Sequence, residues 1–504
     1  MKRFSDFFST KHVYPFCICF FIFISLWCDF SVNYFLLDTL EHLRASMAVS
    51  SGLIPYVDFF EHHHPLLWYL LAPLAKMMYL NTTAILLFRV IGTLAYLGCI
   101  YLTYQITKNL YGKQASQFSV LCLLSIPTLW MDVSNLRPDS FMLLFFLAGL
   151  KFILDYSDSK KIRFLILSYL SVSTSFLFLQ KAAFFVVPFG IFNLYALFKK
   201  EIKLNDFILA CVVGASPVVF ALCILLYQGI LTDFIYYNYT FNTQLQEYYS
   251  DYFSAVPTFL RWLAIVVFLI IIRTYQFSFK TSIVFLCFLF SGISLIYFSP
   301  HSWYYIPYFV FAAILLGKHA YITNHKFVIA GLLFAFSYSI INLYPNDTAK
   351  LHYKDYMKKI EYTVQQNIYN DTLDFSIAPI NVFGPIKNFY WFGFHNVVII
   401  DTLYNPNKIF NPNNVIKKTM PEYLILETSL GALSPPNTIA KQKALWFQNH
   451  NAKIIQKMKY YPELRSRLVP IDFNFWQFDE DWIKKNYTQI NNTNIYRRNL
   501  ERSK

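Results

Sequence analysis

The chain has 504 residues, of which 56% are hydrophobic and 14% charged, and its mean hydropathy is +0.38. An ordinary soluble domain carries about 25% charged residues, so this composition excludes one and fits a polytopic α-helical membrane protein. The formal charge of +14 does not indicate nucleic acid, because no soluble module carries a basic stripe with interleaved aromatics. Most basic residues instead lie in short joints between apolar runs, where topology and contact with anionic membrane lipids account for them.

The first apolar run, residues 13 to 33, follows Lys2, Arg3 and Lys11 and lacks a small-residue cleavage site, so it reads as a retained helix. Further spans are expected at 82 to 107, 115 to 131, 139 to 154, 164 to 179, 182 to 198, 206 to 227, 259 to 274, 281 to 298, 303 to 317 and 327 to 343. That makes eleven transmembrane helices in all, if short and tilted spans are allowed. The run 65 to 80 contains Pro73 and Lys76 and is expected to lie along the membrane surface.

With the N-terminus cytoplasmic, Lys108, Lys113, Lys160, Lys161, Arg163, Lys199, Lys200, Lys203, Arg273, Lys280, Lys318 and Lys326 all fall on the cytoplasmic face. This satisfies the positive-inside rule, and counting 65 to 80 as a crossing would invert it. The first outer loop is then 34 to 81, within a membrane domain covering 1 to 343. Residues 344 to 504 have mixed charge and many asparagines, and they read as an outer α/β domain with helices over 348 to 368 and 437 to 458. Its strand-like pieces are VVII (397 to 400) and YLIL (423 to 426), and its last twenty residues read as a loose polar tail. The eight cysteines fall in or beside apolar spans and form no CxxC, so packing is their expected role.

The segment from 38 to 68 concentrates four carboxylates, Asp38, Glu41, Asp58 and Glu61, and four histidines, His42, His62, His63 and His64. Charged groups cannot sit in hydrocarbon without partners or water, so this segment belongs at a membrane surface or in a polar cavity. Asp38 and Glu41 are one helical turn apart, and Asp58 and Glu61 repeat that spacing just before Pro65. Four acids brought together can accept a proton from a hydroxyl or stabilise a positively charged sugar-like transition state. They can also bind a divalent metal with His62, His63 and His64 as added ligands, although packing and hydrogen bonding are the ordinary role of such histidines. Metal dependence is left open by the sequence.

The order of residues along the chain is informative. Asp38, Glu41 and His42 are followed by Gly52, then Pro55-Tyr56-Val57-Asp58-Phe59-Phe60-Glu61-His62-His63-His64-Pro65-Leu66, Arg89, Arg137-Pro138-Asp139, Gln180-Lys181 and Tyr304-Tyr305-Ile306-Pro307. In this order they resemble the membrane glycosyltransferases of the GT-C superfamily, in particular the family of protein O-mannosyltransferases and lipid A aminoarabinose transferases. The resemblance covers roughly residues 10 to 345. It implies a membrane catalytic domain, a polyprenyl-phosphate sugar donor, an acceptor on the periplasmic or other extracytoplasmic side, and inversion at the anomeric carbon. It places the catalytic acid on Asp38 and suggests Glu61 as a second carboxylate. Asp38-Thr39 stands where many members have Asp-Glu, and His64-Pro65 replaces their basic-proline pair.

The expected site therefore joins Asp38 and Glu61 with a donor-binding group of Lys181, Asp58, Arg137, Asp139, His301 and Tyr304. Glu41 and Arg89 are secondary candidates. Lys181 lies in a two-residue outer joint, where its ammonium can meet a phosphate. The expected reaction is a single displacement, with Asp38 deprotonating the acceptor hydroxyl or amine. The expected location is a bacterial inner (plasma) membrane. A transporter or lipid flippase is the alternative; such proteins place ionisable residues at midspan or show paired repeats, and neither pattern is evident here.

Overall fold

The computed structural model describes residues 10–32, 37–126, 135–249, 258–276, 278–298, 302–321, 337, 347–375, 380–391, 412–426, 471–472, 475–476, 478–490, 493 and 495–499. The membrane part comprises α1 (Thr10–Val32), α2 (Leu37–Ser50), α3 (Leu66–Met77), α4 (Thr83–Tyr111), α5 (Lys113–Leu124), α6 (Pro138–Ser159), α7 (Ile162–Phe178), α8 (Ala183–Phe198) and α9 (Leu204–Tyr227). A short α10 (Leu231–Ile235) and α11 (Asn242–Tyr249) flank a π-helical turn at Tyr236–Phe241, and α12 (Thr258–Thr274), α13 (Phe279–Phe298) and α14 (Ile306–Leu316) follow.

Among the described residues, four helices are long and apolar enough to cross a membrane: Thr83–Tyr111, Pro138–Ser159, Gln180–Phe198 and Leu204–Tyr227. Five shorter apolar helices accompany them, so the expected count of eleven is not reached by this measure. The expected last span, 327 to 343, lies outside the described residues apart from 337. Helix α3 has 12 residues, about 18 Å at the helical rise, too short for a hydrocarbon core of about 30 Å.

Helices α6 and α7 pack closely because small groups meet. Ser168 donates its hydroxyl to the Gly149 carbonyl at 2.7 Å, and a Cβ on Gly149 would come within 2.7 Å of Val172. Helix α9 leaves Val212, Val219, Phe220 and Leu226 exposed, as a lipid-facing helix does.

The basic joints gather at one end of the bundle. Asp158 accepts from Asn109 at 3.1 Å and pairs with Lys280, Lys160 pairs with Glu201 at 2.7 Å, and Lys318 donates to the Thr274 carbonyl. These contacts tie the ends of α4, α6 and α13 to one another, α6 to the end of α8, and α12 to the end of α14.

Beyond the bundle the described elements are α15 (Asp347–Gln365), α16 (Pro412–Thr419), α17 (Glu480–Asn486) and the strands β1 (Thr372–Asp374), β2 (Tyr423–Ile425), β3 (Ile471–Asp472), β4 (Phe475–Trp476), β5 (Tyr487–Gln489) and β6 (Ile495–Arg498). A four-stranded sheet has the order β1-β2-β6-β5, with β1 parallel to β2 and the other pairs antiparallel. Helix α15 and strand β2 fall where expected. The piece at 397 to 400 and the helix expected over 437 to 458 lie outside the described residues.

The terminal segment differs from expectation. β6 is an interior strand and not part of a loose tail; it pairs on both sides, buries Ile495, and Arg497 reaches Glu422 at 3.2 Å. Its basic residues concealed a strand whose inward positions are Ile495 and its cross-strand neighbours.

The shared end of these joints predicts a labelling pattern. Single cysteines at positions 160 and 201, in a background without native cysteines, should react with an impermeant thiol reagent from one side of sealed vesicles. Those at 58 and 240 should react from the other, and labelling of all four from one side would contradict the arrangement.

Candidate active site

The end of the bundle opposite the basic joints holds the polar residues of the first loop. Helix α2 ends at Ser50, and Gly52 takes the left-handed conformation (φ +93°) that turns the chain back, with Leu53 N–H closing onto Ala48 O at 3.0 Å. The returning loop is fixed by aromatic packing. Tyr56 donates its hydroxyl to His63 O at 2.6 Å, Phe60 N–H donates to Phe389 O at 2.7 Å, and Trp391 Nε1 donates to Phe60 O at 2.9 Å. The Phe60 ring meets Tyr237 and Phe241 from the π-helical turn edge to face, at 5.4 and 5.3 Å.

Two polar groups result. In the first, Arg137 donates to Asp38 and lies 3.5 Å from Asp139, Asp139 pairs with Lys181 at 3.1 Å, and the Lys181 ammonium sits 3.8 Å above the Tyr304 ring. Five residues from the first loop, the start of α6, the joint before α8 and the turn before α14 thus form one line. A narrow cleft is lined by Arg137, Asp139, Lys181 and Tyr304 together with largely apolar side chains such as Met142, Leu143, Phe184 and Phe185, and with Ser140 and Ser294.

Two features position Arg137 that the sequence did not disclose. Thr39, next to Asp38, accepts the Leu136 N–H on its hydroxyl at 3.1 Å and so ties the Arg137 segment to α2. Gly92 of α4 lets the same segment approach: a Cβ there would stand 2.8 Å from the Asn135 carbonyl oxygen and 3.0 Å from Leu136 Cα. Thr39 occupies a place read as a departure from an Asp-Glu pair, and only its neighbour Asp38 marked it.

The second group is Glu41, Glu61, His42 and His63. His63 Nδ1 lies 3.5 Å from Glu61 and 3.7 Å from Glu41, and Trp68 Nε1 donates to His42 Nδ1 at 3.0 Å. Burial, reinforced by Asp38, pushes the Glu41 carboxyl well above the ordinary carboxylate range, and burial with Glu41 beside it does the same to Glu61. Burial lowers the His42 imidazole to about 3 and holds His63 well below its usual range, so both are neutral.

Several expectations are corrected here. Glu61, expected as a second carboxylate beside Asp38, is 1% exposed and faces Glu41 and His63. The fold-back that ties its neighbour Phe60 to Phe389 and Trp391 accompanies this burial. Asp58 does not join the donor-binding group but stays exposed, its carboxylate accepting the Ile54 N–H at 2.7 Å as a turn cap. The histidine run does not act together. His62 Nδ1 donates to Asn242 Oδ1 and His64 Nδ1 to Phe176 O, each at 2.8 Å, leaving His63 alone against the carboxylates. Arg89 is buried in α4 with its guanidinium 4.9 Å from the Phe30 ring. His301 lies outside the described residues.

Residues 62–224, about a third of the chain, match the sequence profile of the dolichyl-phosphate-mannose-protein mannosyltransferase family. Similar solved structures include ArnT from Cupriavidus metallidurans in the apo state, 13% identical, covering 69% of this chain and 69% of that one, with a TM-score of 0.42. Another is the oligosaccharyltransferase of Archaeoglobus fulgidus tethered to an acceptor peptide containing the NVT sequon. It is 11% identical, covers 83% of this chain and 69% of that one, and has a TM-score of 0.48. No curated protein matches the chain. The family match supports the resemblance to GT-C membrane glycosyltransferases read from the sequence.

The Gly92 contact yields a test of how the first group is positioned. G92A should destabilise the protein by about 1–3 kcal/mol, the usual cost of overpacking, since the atoms it meets are backbone and cannot rotate away. Thermal unfolding in detergent measures this, and an unchanged midpoint would mean that the Arg137 segment does not press on α4.

Proposed function

We propose that this protein is an inverting glycosyltransferase that moves a sugar from a polyprenyl-phosphate donor to an extracytoplasmic lipid, glycan or protein acceptor. The observation that carries this reading is the line Asp38, Arg137, Asp139, Lys181 and Tyr304 beside a largely apolar cleft. An apolar cleft next to fixed cations suits a ligand with a hydrocarbon tail and an anionic head.

In this mechanism the acceptor enters beside Asp38, which is partly exposed at the start of α2. Its carboxylate accepts the acceptor proton while the acceptor oxygen or nitrogen forms a bond to the anomeric carbon. The bond from that carbon to the phosphate oxygen breaks on the opposite face, which inverts the centre. The electron pair leaves with polyprenyl phosphate, whose added charge needs stabilisation more than it needs a proton donor. Lys181 commits one of its three donors to Asp139 and keeps others for the phosphate. Arg137 orients Asp38 and adds positive charge to the same place. Charges on the line alternate, so the pocket holds its cations ready without burying an unpaired one. Residues 344 to 504 form an outer domain in this reading and shape the acceptor entrance, through the contacts of Phe389 and Trp391 with the first loop.

Two substitutions separate the roles. D38N should leave donor affinity intact but lower turnover by at least about 100-fold, the lower end of what positioned proton transfer contributes. Release of polyprenyl phosphate from radiolabelled donors in membranes measures this, and unchanged turnover would remove Asp38 as the base. K181A should weaken donor binding in nanodiscs, whereas K160A at the opposite end should not. Normal donor binding by K181A would end its role as a phosphate contact.

A further inference from the structure

The joints before α7 and α9 meet at the end of the bundle that carries the basic residues. The two helices run parallel and close together. Ser173 donates its hydroxyl to the Gly214 carbonyl, each about three turns from the start of its helix, and a Cβ on Gly214 would run into Tyr169. Their N-termini therefore stand side by side, and an open cleft there is lined by Lys160, Lys161, Ile162, Arg163, Lys203 and Asp206.

Two of these charges are already engaged. Lys160 pairs with Glu201 at 2.7 Å, and Asp206 accepts the Tyr156 hydroxyl at 3.2 Å. Lys161, Arg163 and Lys203 are exposed and have no carboxylate within ion-pairing distance among the described residues. At the same end Lys280 pairs with Asp158 and Lys318 donates to the Thr274 carbonyl, so a place on this face does not by itself leave a cation unpaired. Three like charges around one cleft repel one another, and a bound anion removes that cost. Neither α7 nor α9 has a capping side chain, so the open N–H groups of their first turns add to the positive potential.

The surface next to the cleft is apolar. Leu167 lies one turn beyond Arg163 on the same face of α7, Leu204 and Ile208 follow Lys203 on α9, and all three are exposed. A level of cations thus passes directly into apolar surface, which fits an anionic head carried on hydrocarbon chains better than a free phosphate.

We infer that this cleft binds the phosphate of an anionic glycerophospholipid in the leaflet at this end, the cytoplasmic one under the positive-inside rule. Lys161, Arg163 and Lys203 hold the phosphate oxygens, and the acyl chains run over Leu167 and Ile208. The lipid bridges the joints that start α7 and α9. The site lies at the opposite end of the bundle from Asp38 and Lys181 and takes no part in the proposed transfer.

The test uses the full chain in detergent, titrated with phosphatidylglycerol or phosphatidylcholine and followed by native mass spectrometry, which counts the lipids bound per chain. The wild type should hold one phosphatidylglycerol more tightly than any phosphatidylcholine. R163Q and K203Q should each weaken that lipid by about fivefold and the double variant by about 25-fold, from the weight of one basic residue at an anionic membrane surface. K108Q, at the same end on α4 but outside the cleft, should bind as wild type does, and an excess of inorganic phosphate should not displace the lipid. The replaced side chains are exposed, and circular dichroism with size-exclusion profiles establishes folding; K161Q removes a third cation if either variant does not fold. Equal affinity for the two lipids, full binding by the double variant, equal losses in K108Q and R163Q, or displacement by inorganic phosphate would each overturn the site. None of these readouts depends on glycosyl transfer.

Discussion

The arrangement depends on the pairing of charges that the bundle cannot leave alone. A carboxylate or ammonium taken out of water costs several kcal/mol, which only a partner at close range offsets. Asp38, Arg137, Asp139 and Lys181 satisfy this condition jointly, each carboxylate meeting a cation, and in doing so they fix the relative positions of α2, α6 and the joint before α8. Loss of one member strands another, so the line acts as a unit. The same economy explains its placement beside a cleft, where an entering anionic headgroup can take over a donor that Lys181 retains.

Behind this line, the first loop is shaped by aromatic burial. Tyr56, Phe59, Phe60 and Trp68 are buried with Tyr237, Phe241, Tyr390 and Trp391 in a second core distinct from that of the helix bundle. The area such rings remove from water is large, and it stabilises a fold-back that delivers Glu61 and His63 to Glu41. Arg44, next along α2, is drawn out of the acidic group and over the Trp391 ring at 5.2 Å. That leaves two carboxylates facing one neutral imidazole.

Much of this was legible in the residues, and the misreadings have identifiable causes. Asp38, Arg137, Asp139, Lys181 and Tyr304 were each singled out, and the structure brings all five together. Lys181 was expected to face a phosphate directly, yet its nearest partner is Asp139. Asp58 and Glu61 share the spacing of Asp38 and Glu41, but 58 to 64 is not helical, so equal spacing did not place them on one face. Three consecutive histidines look alike in sequence and end in three different environments, because an extended segment sends successive side chains in different directions. β6 was missed because its arginines masked a short buried strand.

Local pattern determined what kind of molecule this is. The density of apolar residues, the alternation of basic joints and the acidic first loop follow from the cost of placing charge and bare backbone in hydrocarbon, and that cost is paid residue by residue along the chain. Partners were decided by tertiary structure alone. Arg137 meets Asp38 across 99 residues and Lys181 meets Asp139 across 42, while Thr39 and Gly92 acquire their roles only from a segment that crosses them. Such contacts depend on how helices cross and where loops return, which no local period encodes. For that reason the sequence could name the charged residues, but only the folded chain could say which of them neutralise one another.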